Sequence, residues 1–170
     1  MISIKQFVPS EFCLKCQGCC RFAEDNSVWL PCLLDEEIQD LLDKDIPAVT
    51  ITLDRKIVPK PNHGGDGFVC AFLGESDNAC KIYAMRPFEC QLYPFLITLR
   101  GKKVILTVDL NCPYIEKNVN TGNFKEYVRY LEGFLNAPAQ VELLRNNPHI
   151  IQAYQDVLDI VELKSHDETQ

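Results

Sequence analysis

Basic charge is what this chain has too little of: 17 lysines and arginines stand against 24 aspartates and glutamates, and no basic run interrupts that balance. A net charge of −7 speaks against a nucleic-acid partner, which is gripped through clustered lysine and arginine. Nowhere do 18 apolar residues run together, so no membrane-spanning helix is expected. The opening MISIKQFVPSEF lacks the charged and then apolar stretches of an export leader, and a cytoplasmic protein without a membrane partner is expected. Low-complexity tracts and long linkers are also missing, which leaves a single domain over residues 1–170 as the expectation. There is no Gly-rich nucleotide loop. What remains is a composition 46% hydrophobic, that of a chain able to hide roughly 70% of its unfolded surface. Such a chain needs no cross-links to possess a core.

The nine cysteines therefore require another explanation. Nine is odd, and at about 5% of residues it falls below the level of a small secreted disulfide scaffold. In a reducing compartment the thiols stay available to metals. The densest run is CLKCQGCC, with Cys13, Cys16, Cys19 and Cys20 inside eight residues. A C-x2-C turn lets two sulfurs converge on one ion, and Gly18 eases the backbone. The C-x2-C-x2-C spacing also matches the opening of a ferredoxin cluster site, and Cys112-Pro113 supplies a distant Cys-Pro. The C-x3-C-x2-C spacing of S-adenosylmethionine radical enzymes is absent. Adjacent residues of an extended backbone point to opposite sides, so Cys19 and Cys20 are expected not to share one ion easily. Cys70, Cys80, Cys90 and Cys112 bring the set to eight, twice what a zinc ion or a cubane cluster requires. One centre or two both fit that count.

The pattern predicts an irregular α+β fold. Residues from Glu11 to about Cys32 show neither helical nor strand periodicity. Asp35 offers an N-cap for a helix whose Leu34, Ile38, Leu41 and Leu42 share a face, and Pro47 ends it. AVTITL and KIV bracket Asp54-Arg55 as a short hairpin, followed by the breaker-rich PKPNHGGDG. FVCAFL reads as extended, with a single turn near Ile82 to Met85. FLITLR and KKVILTVDL flank Gly101 as a core hairpin. Beyond Gly122, NFKEYVRYLEGFLN, PAQVELLRNN and PHIIQAYQDVLDIVEL each carry apolar residues at helical spacing, so residues 123–164 are expected to be helical.

On FCLKCQGCCRF at residues 12–22 and CAFLGESDNACKIYAMRPFECQLYPF at residues 70–95, the chain resembles the CxxCxxCC, or YkgJ-like, cysteine cluster proteins. The family pattern is cysteine, a short loop, cysteine, then Tyr, Arg-Pro, cysteine and an aromatic-Pro pair. Here those are Cys70, Cys80, Tyr83, Arg86, Pro87, Cys90, Tyr93 and Pro94. Cys112 agrees with the family's last cysteine, so the resemblance covers residues 12–113; Gln17 stands where the family commonly has Gly. The resemblance implies chelation of zinc or iron by the cysteine cluster, with no assigned process. Flagellin lysine N-methylase looks like a larger relative, which makes an iron-sulfur-dependent redox or protein-modifying enzyme the alternative.

Four thiolates around a divalent ion leave a charge of about −2, and Arg21 and Arg86 are placed to offset it. Arg86 reads either as a donor to sulfur or as half of a surface ion pair. Phe68, Phe72, Tyr83, Phe88, Tyr93 and Phe95 read as a dry shell for a cluster or as plain core. Cys32, in WLPCLL, reads as a buried structural thiol and not a ligand. His63 reads as a solvated loop residue, and Asp35, Glu36 and Glu37 as helix-start acids. A thiol oxidoreductase using Cys13 and Cys16 would need a βαβ setting that is missing. The expected ligands are Cys13, Cys16, Cys19, Cys20, Cys70, Cys80, Cys90 and Cys112, around an iron-sulfur cluster or zinc.

Overall fold

Strand β3, Phe68–Cys70, owes its position to a glycine. Gly67 precedes it with φ +76°, and a Cβ there would lie 2.5 Å from the Phe22 carbonyl oxygen. Only glycine tolerates both the backbone angle and the approach. β3 can thus pair on one side with β1, Arg21–Phe22, and on the other with β2, Pro59–Pro61, all antiparallel. This computed structural model describes residues 3–16, 18–77 and 79–164. It divides into two compact units, Met1–Leu92 and Tyr93–Gln170. The architecture is α+β, with short antiparallel sheets and helices toward the C-terminus.

In the first unit, helix α1 spans Ser10–Cys16 and begins where the Pro9 carbonyl accepts from the Phe12 and Cys13 amides. The segment from Glu11 to Cys32 is thus more regular than its pattern predicts. Seven residues are too few to reveal a helical period, and the apolar face is replaced by cysteines. Helix α2, Asp35–Leu42, has Leu34 and not Asp35 at its N-cap; the Leu34 N–H donates to Glu37 Oε2 at 2.9 Å. The helix stops five residues before Pro47. Asp45, at φ 59°, ends it with paired bonds from Asp45 to Leu42 and from Ile46 to Leu41, a left-handed cap. The hairpin around Asp54-Arg55 is present through the Ile51 and Ile57 bridge, with residues Ala48–Thr50 in a 3-10 turn before it. Phe22, Leu33, Leu41, Ile57, Val69 and Leu73 lie in this unit's core.

In the second unit, β4, Phe95–Arg100, and β5, Lys103–Val108, pair one to one through a two-residue turn, Gly101 taking the positive φ such turns require. Cys112 caps α4, Pro113–Asn118. Helix α5, Gly122–Leu135, starts where Thr121 Oγ1 accepts from the Phe124 amide. It covers β4 by setting Phe124 and Tyr127 against Phe95, at ring separations of 5.6 and 5.2 Å. Helix α6, Pro138–Asn146, follows.

The expected third helix does not form. Pro148–Ile150 is a 3-10 turn, and Leu158–Glu162 is β6, antiparallel to β5 with an irregularity at Leu106 and Thr107. β5 had an open edge, and β-branched Ile160 and Val161 suit a strand. No helix among the described residues is long and apolar enough to cross a membrane.

Candidate metal centre

The two cysteine-rich stretches meet through the small sheet of the first unit. β1 follows Cys20 directly and pairs Arg21 with Val69 and Phe22 with Phe68. That antiparallel register, continued by one residue, sets Cys20 opposite Cys70. Past Cys70 the chain turns back on itself. Asp77 Oδ1 accepts from the Ala79 amide, Gly74 N–H donates to Ala79, Lys81 N–H donates to Phe72, and Cys80 bridges to Leu73. A 3-10 turn at Tyr83–Met85 and Pro87 then lead into α3, Phe88–Leu92, which carries Cys90.

Two carboxylates hold α3 in place. Glu37 Oε1 accepts from the Phe88 amide at 2.6 Å while its other oxygen serves Leu34, and Glu89 Oε2 accepts from the Cys32 amide at 2.6 Å. Desolvation raises the Glu37 carboxyl to about 7 against the opposing pull of its two amide donors. The sequence pattern explains Glu37 as a helix-start acid; its reach to Phe88 was not legible, because the two residues are 51 positions apart.

Four thiols from the two stretches act on one another electrostatically. Burial raises Cys70 to about 12, with Cys20 and Cys80 adding to the rise. Burial also raises Cys80, again with Cys20 adding, and lifts Cys90 well up, with Cys70, Cys20 and Cys80 adding. Every pair among Cys20, Cys70, Cys80 and Cys90 is therefore within electrostatic reach. Cys19 joins this edge. A hydrogen bond between the Cys19 and Cys20 side chains is the largest cause of the upward shift at Cys20, followed by burial. The expectation that these neighbours diverge fails because Gly18–Cys20 is a 3-10 turn and not an extended segment.

The other expected ligands are placed differently. Cys13 and Cys16 lie three residues apart on α1 and so share a face, Cys16 being exposed. Cys112 is buried in the second unit. Cys32 is 1% exposed and raised to about 12 by burial first, a structural thiol as its apolar surroundings imply. His63 is exposed. No cysteine is in a disulfide. Among the described residues, no three His, Cys, Asp or Glu side chains stand in a ready-made metal-holding arrangement.

Two orphaned donors lie on the segment between Cys80 and Cys90. The Arg86 guanidinium sits 3.9 Å over the Tyr83 ring, and both Arg86 Nε and Tyr83 Oη are buried without a hydrogen-bond partner. A buried donor left unsatisfied costs about 1–3 kcal/mol, so such atoms call for an acceptor. The Arg86 charge favours the thiolate forms of Cys20 and Cys80. Sulfur donors with a half-buried cation in electrostatic reach fit an anionic metal–thiolate group.

The family model CxxCxxCC, described as "Putative zinc- or iron-chelating domain", matches residues 12–120. Uncharacterized protein MJ0661 of Methanocaldococcus jannaschii is 35% identical over 69 residues, which cover 39% of this chain and 38% of that one. The match thus spans well under half of that relative. No solved structure matches the chain.

Proposed function

The chain belongs to the CxxCxxCC family, and on that premise we propose that it is a metal-binding protein with a thiolate centre built on Cys20, Cys70, Cys80 and Cys90. The observation that carries this reading is the mutual electrostatic reach of these four thiols, drawn from both cysteine-rich stretches. Four sulfurs suit a zinc ion or an iron-sulfur cluster alike. When bound, the ion or cluster would tie the N-terminal run to α3 and supply folding energy. Cys20 and Cys70 deliver sulfur from the ends of paired strands, Cys80 from the turn that folds back, and Cys90 from a helix pinned by Glu37 and Glu89. The thiols must lose their protons on binding, because the thiolate is the ligand.

Cys13, Cys16 and Cys19 stay in the proposal as ligands of a second or shared centre. Cys112 stays in it on sequence grounds alone. In this reading the metal holds the fold or is stored and presented to another protein. Elemental analysis and a visible spectrum of anaerobically isolated protein test the reading. Zinc gives a colourless sample with metal in stoichiometric amount, and an iron-sulfur cluster gives a brown one that bleaches on reduction. A preparation holding neither metal rejects the proposal.

A further inference from the structure

We propose that Arg86 is the positioning residue of the thiolate centre, its Nε–H donating to a sulfur of Cys20 or Cys80 and its charge offsetting the negative thiolates. The inference rests on the metal-binding reading above. Three observations on one side chain lead to it. Arg86 Nε is buried and has no acceptor, although buried polar hydrogens nearly always find one. The guanidinium is not idle elsewhere: among the described residues it forms no ion pair, so the surface ion-pair reading of this residue is not what the structure contains. It also has two anchors. Its Cζ lies 3.9 Å from the centroid of the Tyr83 ring, and the Arg86 carbonyl accepts from Gln91 Nε2 at 2.8 Å, tying the backbone to α3.

Chain order adds to this. Cys80, Tyr83, Arg86 and Cys90 follow one another across a single 3-10 turn and the start of α3, so the segment that presents two sulfurs also presents the cation. The guanidinium is within electrostatic reach of both Cys20 and Cys80, which belong to the two different stretches. A neutral thiol pair accepts such a donor weakly. A metal-bound thiolate accepts it strongly, because charge-assisted hydrogen bonds are roughly twice as strong as neutral ones. Loading the centre therefore supplies the acceptor that Arg86 lacks. Tyr83 acts as the platform that aims it.

The test uses the full-length reduced protein with zinc as the probe, in competition with a chromophoric chelator. Arg86→Met removes charge and donor, and Arg86→Lys returns the charge. Arg86→Met should bind zinc about ten- to hundredfold more weakly than the parent protein and release it at a higher pH, with Arg86→Lys between the two. Unfolding of the metal-free proteins supplies the control, since a merely structural arginine would lower metal-free stability and leave zinc affinity unchanged. Equal zinc affinity and equal release pH in all three proteins would overturn the role of Arg86 while leaving the metal-binding reading intact. A parent protein that binds neither zinc nor iron would remove the metal-binding reading itself, and this inference with it.

Discussion

Glu37 shows how one carboxyl can serve two distant backbones. Its oxygens take the Leu34 and Phe88 amides, joining the start of α2 to the start of the cysteine-bearing α3. Glutamine offers a single acceptor, so Glu37→Gln leaves one amide facing an NH2 group and should cost about 1–3 kcal/mol. The sign of its pH dependence follows from the raised carboxyl, about 7 in the folded protein against 4.5. The folded state holds the proton more tightly, so this contribution is full below about pH 4.5 and fades as pH rises through about 7. The stability gap between parent and Glu37→Gln should accordingly narrow over that interval in denaturant titrations; a widening gap would contradict the assignment. Cys32 gives the opposite kind of test. Cys32→Ala should lower the melting temperature through a small cavity, a loss of about 1–2 kcal/mol, while leaving the metal content of the protein unchanged. At this scale the sequence was legible where a residue type has one dominant habit. A cysteine among apolar neighbours announces its burial, as Cys32 does, whereas a glutamate that bonds a residue 51 positions away does not.

At the scale of elements, the β1 and β3 pairing is what sets Cys20 opposite Cys70. Gly67 permits it, and Gly67→Ala introduces both a disfavoured φ and a Cβ 2.5 Å from the Phe22 oxygen. The substitution should cost about 2 kcal/mol or more and weaken metal binding together with stability, because moving β3 off β1 separates the sulfurs. Unchanged zinc affinity in a folded Gly67→Ala protein would argue that this pairing does not position the site. The β4 and β5 hairpin was readable from alternation around Gly101, and α5 from its apolar stripe. β6 was not. Its apolar spacing fits a helix equally well, and only the open edge of β5 decides the outcome, a fact about tertiary structure absent from any local window. α1 was missed for the complementary reason, since cysteines occupy the positions where a hydrophobic stripe would signal a helix.

For the whole molecule, a thiolate centre in the first unit should make the two units differ in their dependence on metal. The second carries a three-stranded sheet with α5 packed on β4, a conventional apolar core. In the first, strands of two and three residues and a five-residue α3 are short to hold by pairing alone. Chelator treatment should therefore remove amide-exchange protection from residues 18–22, 68–77 and 79–92 and spare residues 95–108 and 122–135. Uniform protection with and without chelator would mean that the metal is not structural. The most direct measurement of the central claim is X-ray absorption at the edge of the metal the protein carries. Four sulfur neighbours at about 2.3 Å are the predicted first shell; a shell dominated by nitrogen or oxygen would contradict the account.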